Sequence, residues 1–249
     1  MILVSGAGSG IGRATAQVLA DAGHTILLLG RNRPTLEATL AMLDSPNKHD
    51  IITADIRNAQ VLRAGLQSAN PALKAIIANA GVGGENHYGK NDRWHEIVDT
   101  NLTGTYQLVQ EALPYFAAKE TGFRQIVIVS SILARLGVPG YSAYCASKAG
   151  LLGLMRSWAV ELASEKILVN AICPGWVQTE MATLGLQTFA EASGKSYETI
   201  YQEQMADVLL GKMSEPEEVA HLINFLVSSA QTSITGQTID INNGALMPA

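Results

Sequence analysis

A tyrosine and a lysine stand four positions apart in the segment Tyr144-Cys145-Ala146-Ser147-Lys148. On a helix, side chains four residues apart lie on the same face, so the phenol and the ammonium group would point in one direction. A phenol with an ordinary pKa of about 10 rarely ionises at neutral pH, whereas a neighbouring cation favours the phenolate. The spacing by itself is common, so the pair is only a candidate acid–base centre. In such a centre Lys148 would lower the pKa of Tyr144, and Tyr144 would move a proton at a substrate oxygen.

A glycine-rich loop lies near the start of the chain, with Gly6, Gly8, Gly10 and Gly12 between an apolar run and a helical segment. Such a loop points backbone N–H groups and a helix N-terminus at one position, where a pyrophosphate could bind. The spacing matches neither the G-x-G-x-x-G dinucleotide pattern nor a Walker loop, which needs a following Lys-Ser/Thr pair. The loop by itself indicates either a nucleotide site or an ordinary tight turn.

Apolar runs that are typical of strands alternate with amphipathic segments along most of the 249 residues. This alternation predicts an α/β fold, a single doubly wound Rossmann-type domain with a seven-stranded parallel sheet and helices on both faces. The predicted strands are 2–5, 25–29, 50–54, 75–79, 125–130, 168–172 and 238–241. The predicted helices are 11–22, 33–43, 59–68, 92–119, 143–164 and 215–227.

The glycine loop, the tyrosine–lysine pair and an upstream serine occur together in a known pattern. The loop resembles the Thr-Gly-x-x-x-Gly-x-Gly motif of the short-chain dehydrogenase/reductase family, with Ser5 in place of the threonine. Ser131 precedes Tyr144 by 13 residues, which is the separation of the family's catalytic serine and tyrosine. The resemblance runs from Ile2 to about Gly244, and it implies an NAD(P)-dependent oxidoreductase.

The resemblance implies a role for each of four catalytic residues. Tyr144 would exchange the proton with the carbonyl or alcohol oxygen, and Ser131 would hydrogen-bond that oxygen and orient it. Lys148 would hold the nicotinamide ribose hydroxyls and, helped by the positive charge of the oxidised nicotinamide, would lower the pKa of Tyr144. Asn101, on a helix that is locally distorted in this family, would help to pass protons from solvent through water to Lys148.

The same resemblance assigns the residues that would bind the cofactor. The carboxylate of Asp55 would hydrogen-bond the adenine amino group, and Asn79 would brace the central sheet beside the cofactor. Thr179 would bind the nicotinamide carboxamide, with the backbone N–H of Val177 as a second contact. The full implied set is Gly6, Ser9, Gly10, Ile11, Gly12, Arg31, Asp55, Ile56, Asn79, Gly81, Tyr144, Lys148, Pro174, Gly175, Val177 and Thr179.

Arg31 follows the second predicted strand, where enzymes that prefer NAD usually carry an acid for the ribose 2′-hydroxyl. No aspartate or glutamate stands there. A guanidinium instead presents a planar charged fork to a 2′-phosphate, so this residue favours NADP(H). If Arg31 stacks on the adenine or points into solvent, NAD(H) stays usable.

The segment 178–213 has no clear place in the sheet and carries apolar side chains among small and polar ones. It predicts a substrate lid on a single NAD(P)-binding Rossmann domain of residues 1–249; the alternative is a helical hairpin that only packs against the body. An apolar lid favours a medium-sized ketone or secondary alcohol, such as a 3-oxoacyl thioester, a polyketide intermediate or a cyclic ketone. The candidate pocket residues are Leu133, Tyr141, Trp176 and Met181.

Two other functions fit parts of the pattern. One is an NAD-dependent alcohol or diol dehydrogenase that works in the oxidative direction. The other is a non-catalytic nucleotide-sensing protein, which would have no need of Ser131, Tyr144 and Lys148 together. The catalytic residues therefore favour an enzyme that interconverts a ketone and a secondary alcohol, and Arg31 favours NADP(H) as its cofactor.

Composition argues against nucleic acid and membranes as partners, and the family resemblance implies a small-molecule substrate. A net charge of −5 and a pI near 5.5 argue against nucleic acid, and no apolar run reaches the roughly 20 residues that cross a bilayer. Cys145 and Cys173 lack the spacing of a disulfide framework or a metal site, so no metal is expected. The apolar run from Ile2 leaves no room for a signal peptide, which predicts a cytoplasmic protein. The family resemblance implies a homotetramer in which segments 92–119 and 143–164 pair with their copies.

Overall fold

A single parallel sheet forms the centre of the computed structural model, which describes residues 1–247. The strands are β1 (Ile2–Ser5), β2 (Ile26–Gly30), β3 (Asp50–Thr53), β4 (Ala75–Ala78), β5 (Arg124–Val129), β6 (Ile167–Pro174) and β7 (Thr238–Ile241). Their order in the sheet, β3-β2-β1-β4-β5-β6-β7, confirms the predicted doubly wound α/β fold. The winding reverses between β1 and β4, and folds of this kind bind ligands outside the carboxyl ends of the strands at that point.

Successive residues of the central strands point to opposite faces of the sheet and enter two separate cores. In β1, Leu3 belongs to the core on one face, whereas Ile2 and Val4 belong to the core on the other. All three side chains are fully buried, because helices cover both faces. This double cover is the reason why the strands read as continuous apolar runs.

Helices from the two ends of the chain cover one face, and helices from its middle cover the other. The helices are α1 (Gly10–Asp21), α2 (Arg33–Leu40), α3 (Ala59–Ala69), α4 (Trp94–Val98), α5 (Gly104–Ala112), α6 (Ser142–Glu161), α7 (Glu180–Ser193), α8 (Tyr197–Ala206) and α9 (Pro216–Val227). Leu19 of α1 and Ile223 of α9 pack with Val4, whereas Leu108 of α5 and Met155 of α6 pack with Leu3. Within residues 1–247, no helix combines the length and apolarity needed to cross a bilayer.

The prediction of one helix over residues 92–119 is wrong. The structure has α4, then a π-helical turn at Asp99–Thr103, then α5, which ends at Ala112. Pro114 stops the helix, because it lacks a backbone N–H and its ring clashes with the preceding turn; it lies in a short 3-10 turn instead. The π-helical turn contains Asn101 and is the kind of local distortion that often marks a functional site.

The segment 178–213 forms a helical hairpin of α7 and α8. The hairpin has a small core of its own, distinct from the two cores of the sheet, and Trp176 and Ala245 pack against its rim. The core residues are Ala182, Leu186, Ala190, Ile200, Met205, Val208 and Met213.

The start of α9 differs by one residue from the prediction. Pro216 is the first helical residue, one position later than predicted, and Glu215 occupies the N-cap position. The Glu215 backbone N–H donates to Oε2 of Glu218 (2.7 Å), which closes the first turn. Ser214 instead pairs with Val177 in an isolated parallel bridge at the base of the hairpin.

Candidate active site

The glycine loop folds tightly against the start of α1, at the carboxyl end of β1. A Cβ at Gly12 would lie 2.1 Å from the carbonyl oxygen of Gly6, so only glycine allows this approach. Ser9 occupies the N-cap position of α1, and its exposed side chain makes no capping hydrogen bond. The first N–H groups of α1 and the Ser9 hydroxyl are therefore available to an anion such as a pyrophosphate.

Asn79 ties this loop to the end of β4. Its Nδ2 donates to the Ser5 carbonyl (2.9 Å), and its backbone N–H donates to the Ser5 hydroxyl (3.0 Å). The same hydroxyl accepts from the Ala80 N–H (3.0 Å) and donates to the Ile77 carbonyl (3.2 Å). Serine in place of the family's threonine thus keeps the hydroxyl that joins β1 to β4.

A pocket of about 250 Å³ lies at the carboxyl ends of β2 and β3, and it is lined by Arg31 and Asp55. Two nitrogens of Arg57 donate hydrogen bonds to the Asp55 carboxylate, and the shorter of these is 2.7 Å from Nη2 to Oδ2. This hydrogen bonding lowers the pKa of Asp55, so the carboxylate is a fixed, ionised acceptor. The complete lining is Arg31, Thr53, Ala54, Asp55, Asn58 and Val61.

Tyr144 lies in the first turn of α6, and Ser131 follows the end of β5, so the fold brings the two hydroxyl groups together. Burial raises the pKa of Tyr144 to about 12, and the hydrogen bond with Ser131 acts in the opposite direction. The Ser131 hydroxyl also accepts from the backbone N–H of Leu133 (3.2 Å), which fixes its position. The phenol is therefore protonated and can act as an acid.

Lys148 lies one turn after Tyr144, with Nζ 5.6 Å from the centre of the tyrosine ring. Its Nζ donates to the carbonyl of Val129 (2.9 Å), and burial lowers the pKa of Lys148 to about 8. The sequence predicted that Lys148 lowers the pKa of Tyr144. In the protein alone the pKa of Tyr144 is raised, because desolvation of the phenol outweighs every other influence on it.

The lowered pKa of Lys148 predicts a pH dependence. Below about 8 the side chain is charged, and above this value it is neutral, since burial favours the uncharged amine. We expect kcat/KM for carbonyl reduction to fall as the pH rises through this value, because a neutral amine stabilises a phenolate poorly. Rate measurements across the neutral and alkaline range, with NMR titration of ¹³C-labelled lysine, test this. A Lys148 signal that titrates near the ordinary 10.5 would contradict the prediction.

Asn101 lies in the π-helical turn, and its side chain is fully used by hydrogen bonds. Its Oδ1 accepts from the Val82 N–H (2.8 Å), and its Nδ2 donates to the Val82 carbonyl (3.0 Å) and to the Ser147 hydroxyl (3.1 Å). Ser147 is fully buried and donates to the Tyr144 carbonyl (2.8 Å). The side chain of Asn101 thus joins the loop after β4 to the helix of Tyr144.

Ser147 is a site residue that the sequence analysis missed. It stands three residues after Tyr144 and one before Lys148, so it lies on nearly the same face of α6. A serine on this face of the helix could have been recognised as a candidate from the sequence. Its hydrogen bond with Asn101 could not, because 46 residues separate the two in the chain.

The segment after β6 lies close to the glycine loop, on the other side of the candidate active site. Thr179 occupies the N-cap of α7, and a Cβ at Gly10 would lie 3.1 Å from its methyl group. The N–H of Gly175 is used within the sheet, where it donates to the Ile241 carbonyl (3.0 Å), and the side chain of Val177 is buried. The glycine loop and Thr179 therefore approach each other across the site.

Four further predicted cofactor residues surround this space. Ile11 lies in the first turn of α1, and Pro174 is the last residue of β6. The side chain of Ile56 is buried, so only its backbone can face the pocket beside Asp55. A Cβ at Gly81 would lie 3.6 Å from Nζ of Lys148.

These residues together fit a nicotinamide dinucleotide. Arg31 and Asp55 stand at the end that suits the adenosine, and the close packing of Gly6 against Gly12 leaves a backbone cradle for the pyrophosphate. Thr179 approaches the loop from the side that suits the nicotinamide. The cofactor would lie along the carboxyl edge of the sheet, across the switch point between β1 and β4.

An aromatic row joins the catalytic helix to the hairpin. The ring centres of Tyr141 and Tyr144 are 6.5 Å apart, and those of Tyr141 and Phe189 are 6.0 Å apart. Both pairs meet edge to face, a favourable geometry for aromatic rings. Phe189, on α7, is an addition to the predicted pocket residues.

The other three predicted pocket residues have different surroundings. Met181 reaches the loop after β4, since a Cβ at Gly83 would lie 2.8 Å from its sulfur. Leu133 lies in the 3-10 turn directly after Ser131 and is partly buried. Trp176 packs against the core of the hairpin. The structure therefore places Tyr141 and Leu133 beside the catalytic groups, Met181 against the loop after β4 and Trp176 against the hairpin.

Comparison with known proteins gives a match over nearly the whole chain. The family model described as Enoyl-(Acyl carrier protein) reductase matches residues 6–245. A Streptomyces virginiae protein assigned as the ketoacyl reductase of the monensin polyketide synthase is 34% identical over 252 residues, with 97% of this chain and 95% of the relative covered. The 3-oxoacyl-acyl-carrier-protein reductase FabG of Thermotoga maritima is 30% identical over 251 residues, with 98% and 97% covered.

A solved structure gives the same result for the fold. The crystal structure of an actinorhodin polyketide ketoreductase variant with NADPH has a TM-score of 0.90 and 30% identity, and the match covers 98% of this chain and 96% of that one. The site geometry, the family model and these relatives agree with one another. The chain belongs to the short-chain dehydrogenase/reductase family of NAD(P)-dependent oxidoreductases.

Proposed function

We propose that this protein is an NADP(H)-dependent oxidoreductase that interconverts a ketone and a secondary alcohol on a medium-sized, largely apolar substrate. The observation that carries the proposal is the convergence of Ser131, Tyr144 and Lys148 on one side of the glycine loop. A nucleotide-sensing protein would need the loop alone, so this convergence favours catalysis.

Ser131, Tyr144 and Lys148 each have a different role in carbonyl reduction. Ser131 hydrogen-bonds the substrate carbonyl and holds it against the Tyr144 hydroxyl. Tyr144, protonated because burial raises its pKa to about 12, donates its proton to the carbonyl oxygen. The ammonium of Lys148 stabilises the phenolate that remains, and alcohol oxidation reverses these transfers. When bound, the reduced nicotinamide supplies the hydride that the carbonyl carbon receives.

Arg31 supports the choice of NADP(H) over NAD(H). Arg31 lines the adenosine-side pocket, and a guanidinium suits a 2′-phosphate better than a 2′-hydroxyl. The similar actinorhodin polyketide ketoreductase is described with NADPH. The alternative of an NAD-dependent dehydrogenase working oxidatively is therefore not favoured.

The surroundings of Tyr144 support an apolar substrate. Tyr141 places an aromatic ring beside the catalytic phenol, and Phe189 packs on Tyr141. Met181 adds an apolar side chain at the loop after β4. The names of the relatives, a ketoacyl reductase and a 3-oxoacyl-acyl-carrier-protein reductase, favour a 3-oxoacyl thioester or polyketide intermediate as the first substrate to test.

An absorbance assay with purified protein tests the proposal. The protein is mixed with NADPH or NADH and a panel that contains a 3-oxoacyl thioester, a polycyclic ketone, a simple cyclic ketone and, as a control, a saturated thioester without a ketone. We expect NADPH oxidation that depends on the ketone and exceeds NADH oxidation. Turnover with neither cofactor across the panel would refute the enzyme, and faster turnover with NADH would refute the cofactor choice.

We further propose that the protein works in the cytoplasm as a homotetramer. Because the segment 92–119 is not one helix, the surfaces offered for pairing with their copies are α5 and α6. Each helix leaves a large apolar side chain exposed, Tyr106 on α5 and Val160 on α6, which supports this arrangement.

A further inference from the structure

The helix that carries Tyr144 has no cap from its own neighbourhood. Its N-cap position is held by Tyr141, whose side chain makes no capping hydrogen bond. Asn86, from the loop after β4, supplies the missing acceptor: its Oδ1 accepts from the Ala143 N–H (2.9 Å) and from the Ser142 hydroxyl (3.2 Å). A residue 57 positions away thus performs the task that a local serine or asparagine usually performs.

Asn86 is itself held from two further directions. Its backbone N–H donates to the Gly140 carbonyl (2.8 Å), and its Nδ2 donates to Oδ1 of Asp92 (3.3 Å). The Asp92 oxygen also accepts from the Trp94 N–H (3.0 Å) at the start of α4. The side chain of Asn86 is buried, and both polar atoms of its amide form hydrogen bonds within the protein.

We propose that Asn86 is a positioning residue for Tyr144, an inference that rests on the proposed function. Tyr144 directly follows Ala143, the residue whose N–H Asn86 caps, so fraying of this first turn would move the phenol away from Ser131. The same loop is tied at Val82 to Asn101. The loop after β4 therefore positions two groups of the active site: Asn101 through Val82, and the first turn of α6 with Tyr144 through Asn86.

Substitutions at Asn86 test the kinetic part of the proposal with a 3-oxoacyl thioester and NADPH. Asn86→Ala removes the capping oxygen, and we expect kcat to fall about tenfold with an unchanged Kd for NADPH, since misplacement of a catalytic group mainly slows the chemical step. The double variant N86D/D92N keeps an oxygen toward Ala143 and restores a donor between the two side chains. We expect it to recover most of the lost kcat.

A matched control separates positioning from a general loss of stability. Asn70 is the C-cap of α3, has a positive φ of 40° and lies before the amino end of β4, whereas the active site lies at the carboxyl ends of the strands. Asn70→Ala should therefore lower the melting temperature and leave kcat unchanged. Equal kcat values in Asn86→Ala and the parent enzyme, or no recovery in N86D/D92N, would overturn the proposal.

Amide exchange on the parent protein adds a test that needs neither a stable variant nor turnover. First-turn N–H groups of a helix are normally unprotected, so slow exchange at Ala143 would show the cap from Asn86. Exchange at Ala143 as fast as in an uncapped first turn would overturn the proposal. Slow exchange in a protein that reduces no ketone would instead contradict the proposed function alone.

Discussion

Replacement of Tyr144 by phenylalanine is expected to lower ketone turnover by about a thousandfold or more, with NADPH binding nearly intact. The change removes only the phenol oxygen, and the aromatic ring keeps its place beside Tyr141. Ser131 would still orient the carbonyl, but no neighbouring group would supply the proton that Tyr144 donates. The measurement is kcat with the 3-oxoacyl thioester, together with Kd for NADPH from fluorescence titration.

The control for this variant is Tyr115→Phe. It removes the same oxygen from a tyrosine in the 3-10 turn after α5, whose backbone carbonyl accepts from the Leu73 N–H (2.8 Å) near the amino end of β4. Its turnover should equal that of the parent enzyme. If Tyr144→Phe kept more than about a tenth of the parental kcat, the proton would have to come from another group, and the assignment of the acid would be wrong.

The contacts that could be predicted from the sequence are those fixed by local spacing. The glycine loop and the four-residue interval between Tyr144 and Lys148 each determine a geometry within one turn or one helix, and the structure contains both geometries. The buried strands could likewise be read from their apolar runs. The parallel, doubly wound arrangement followed from the alternation with helices, whereas the order of the strands came from the structure.

The contacts that could not be predicted join residues that are distant in the chain. Neither the cap from Asn86 to Ala143 nor the bond from Asn101 to Ser147 leaves a local signal, because the partners lie 57 and 46 residues apart. Nor could the raised pKa of Tyr144 in the protein alone be predicted, since the extent of burial depends on the complete fold.

Substitution of Arg31 by aspartate is expected to reverse the cofactor preference. A charge-assisted, two-pronged contact with a 2′-phosphate is lost, and the new carboxylate repels that phosphate but can accept from a ribose 2′-hydroxyl. A hydrogen bond to a charged group contributes roughly 1.5–3 kcal/mol, so KM for NADPH should rise about a hundredfold while KM for NADH falls or stays unchanged. Steady-state rates with each cofactor at a fixed ketone concentration measure the shift.

The position of Arg31, and not the net charge of the protein, is expected to select the cofactor. Lys119→Asp reverses a charge in the same way but at the amino end of β5, away from the pocket that Arg31 lines, so it should leave the ratio of the two KM values unchanged. An Arg31→Asp enzyme that kept its parental preference would place the 2′-phosphate against other groups. Arg31 would then stack on the adenine or face solvent, and its guanidinium would give no reason to choose NADP(H) over NAD(H).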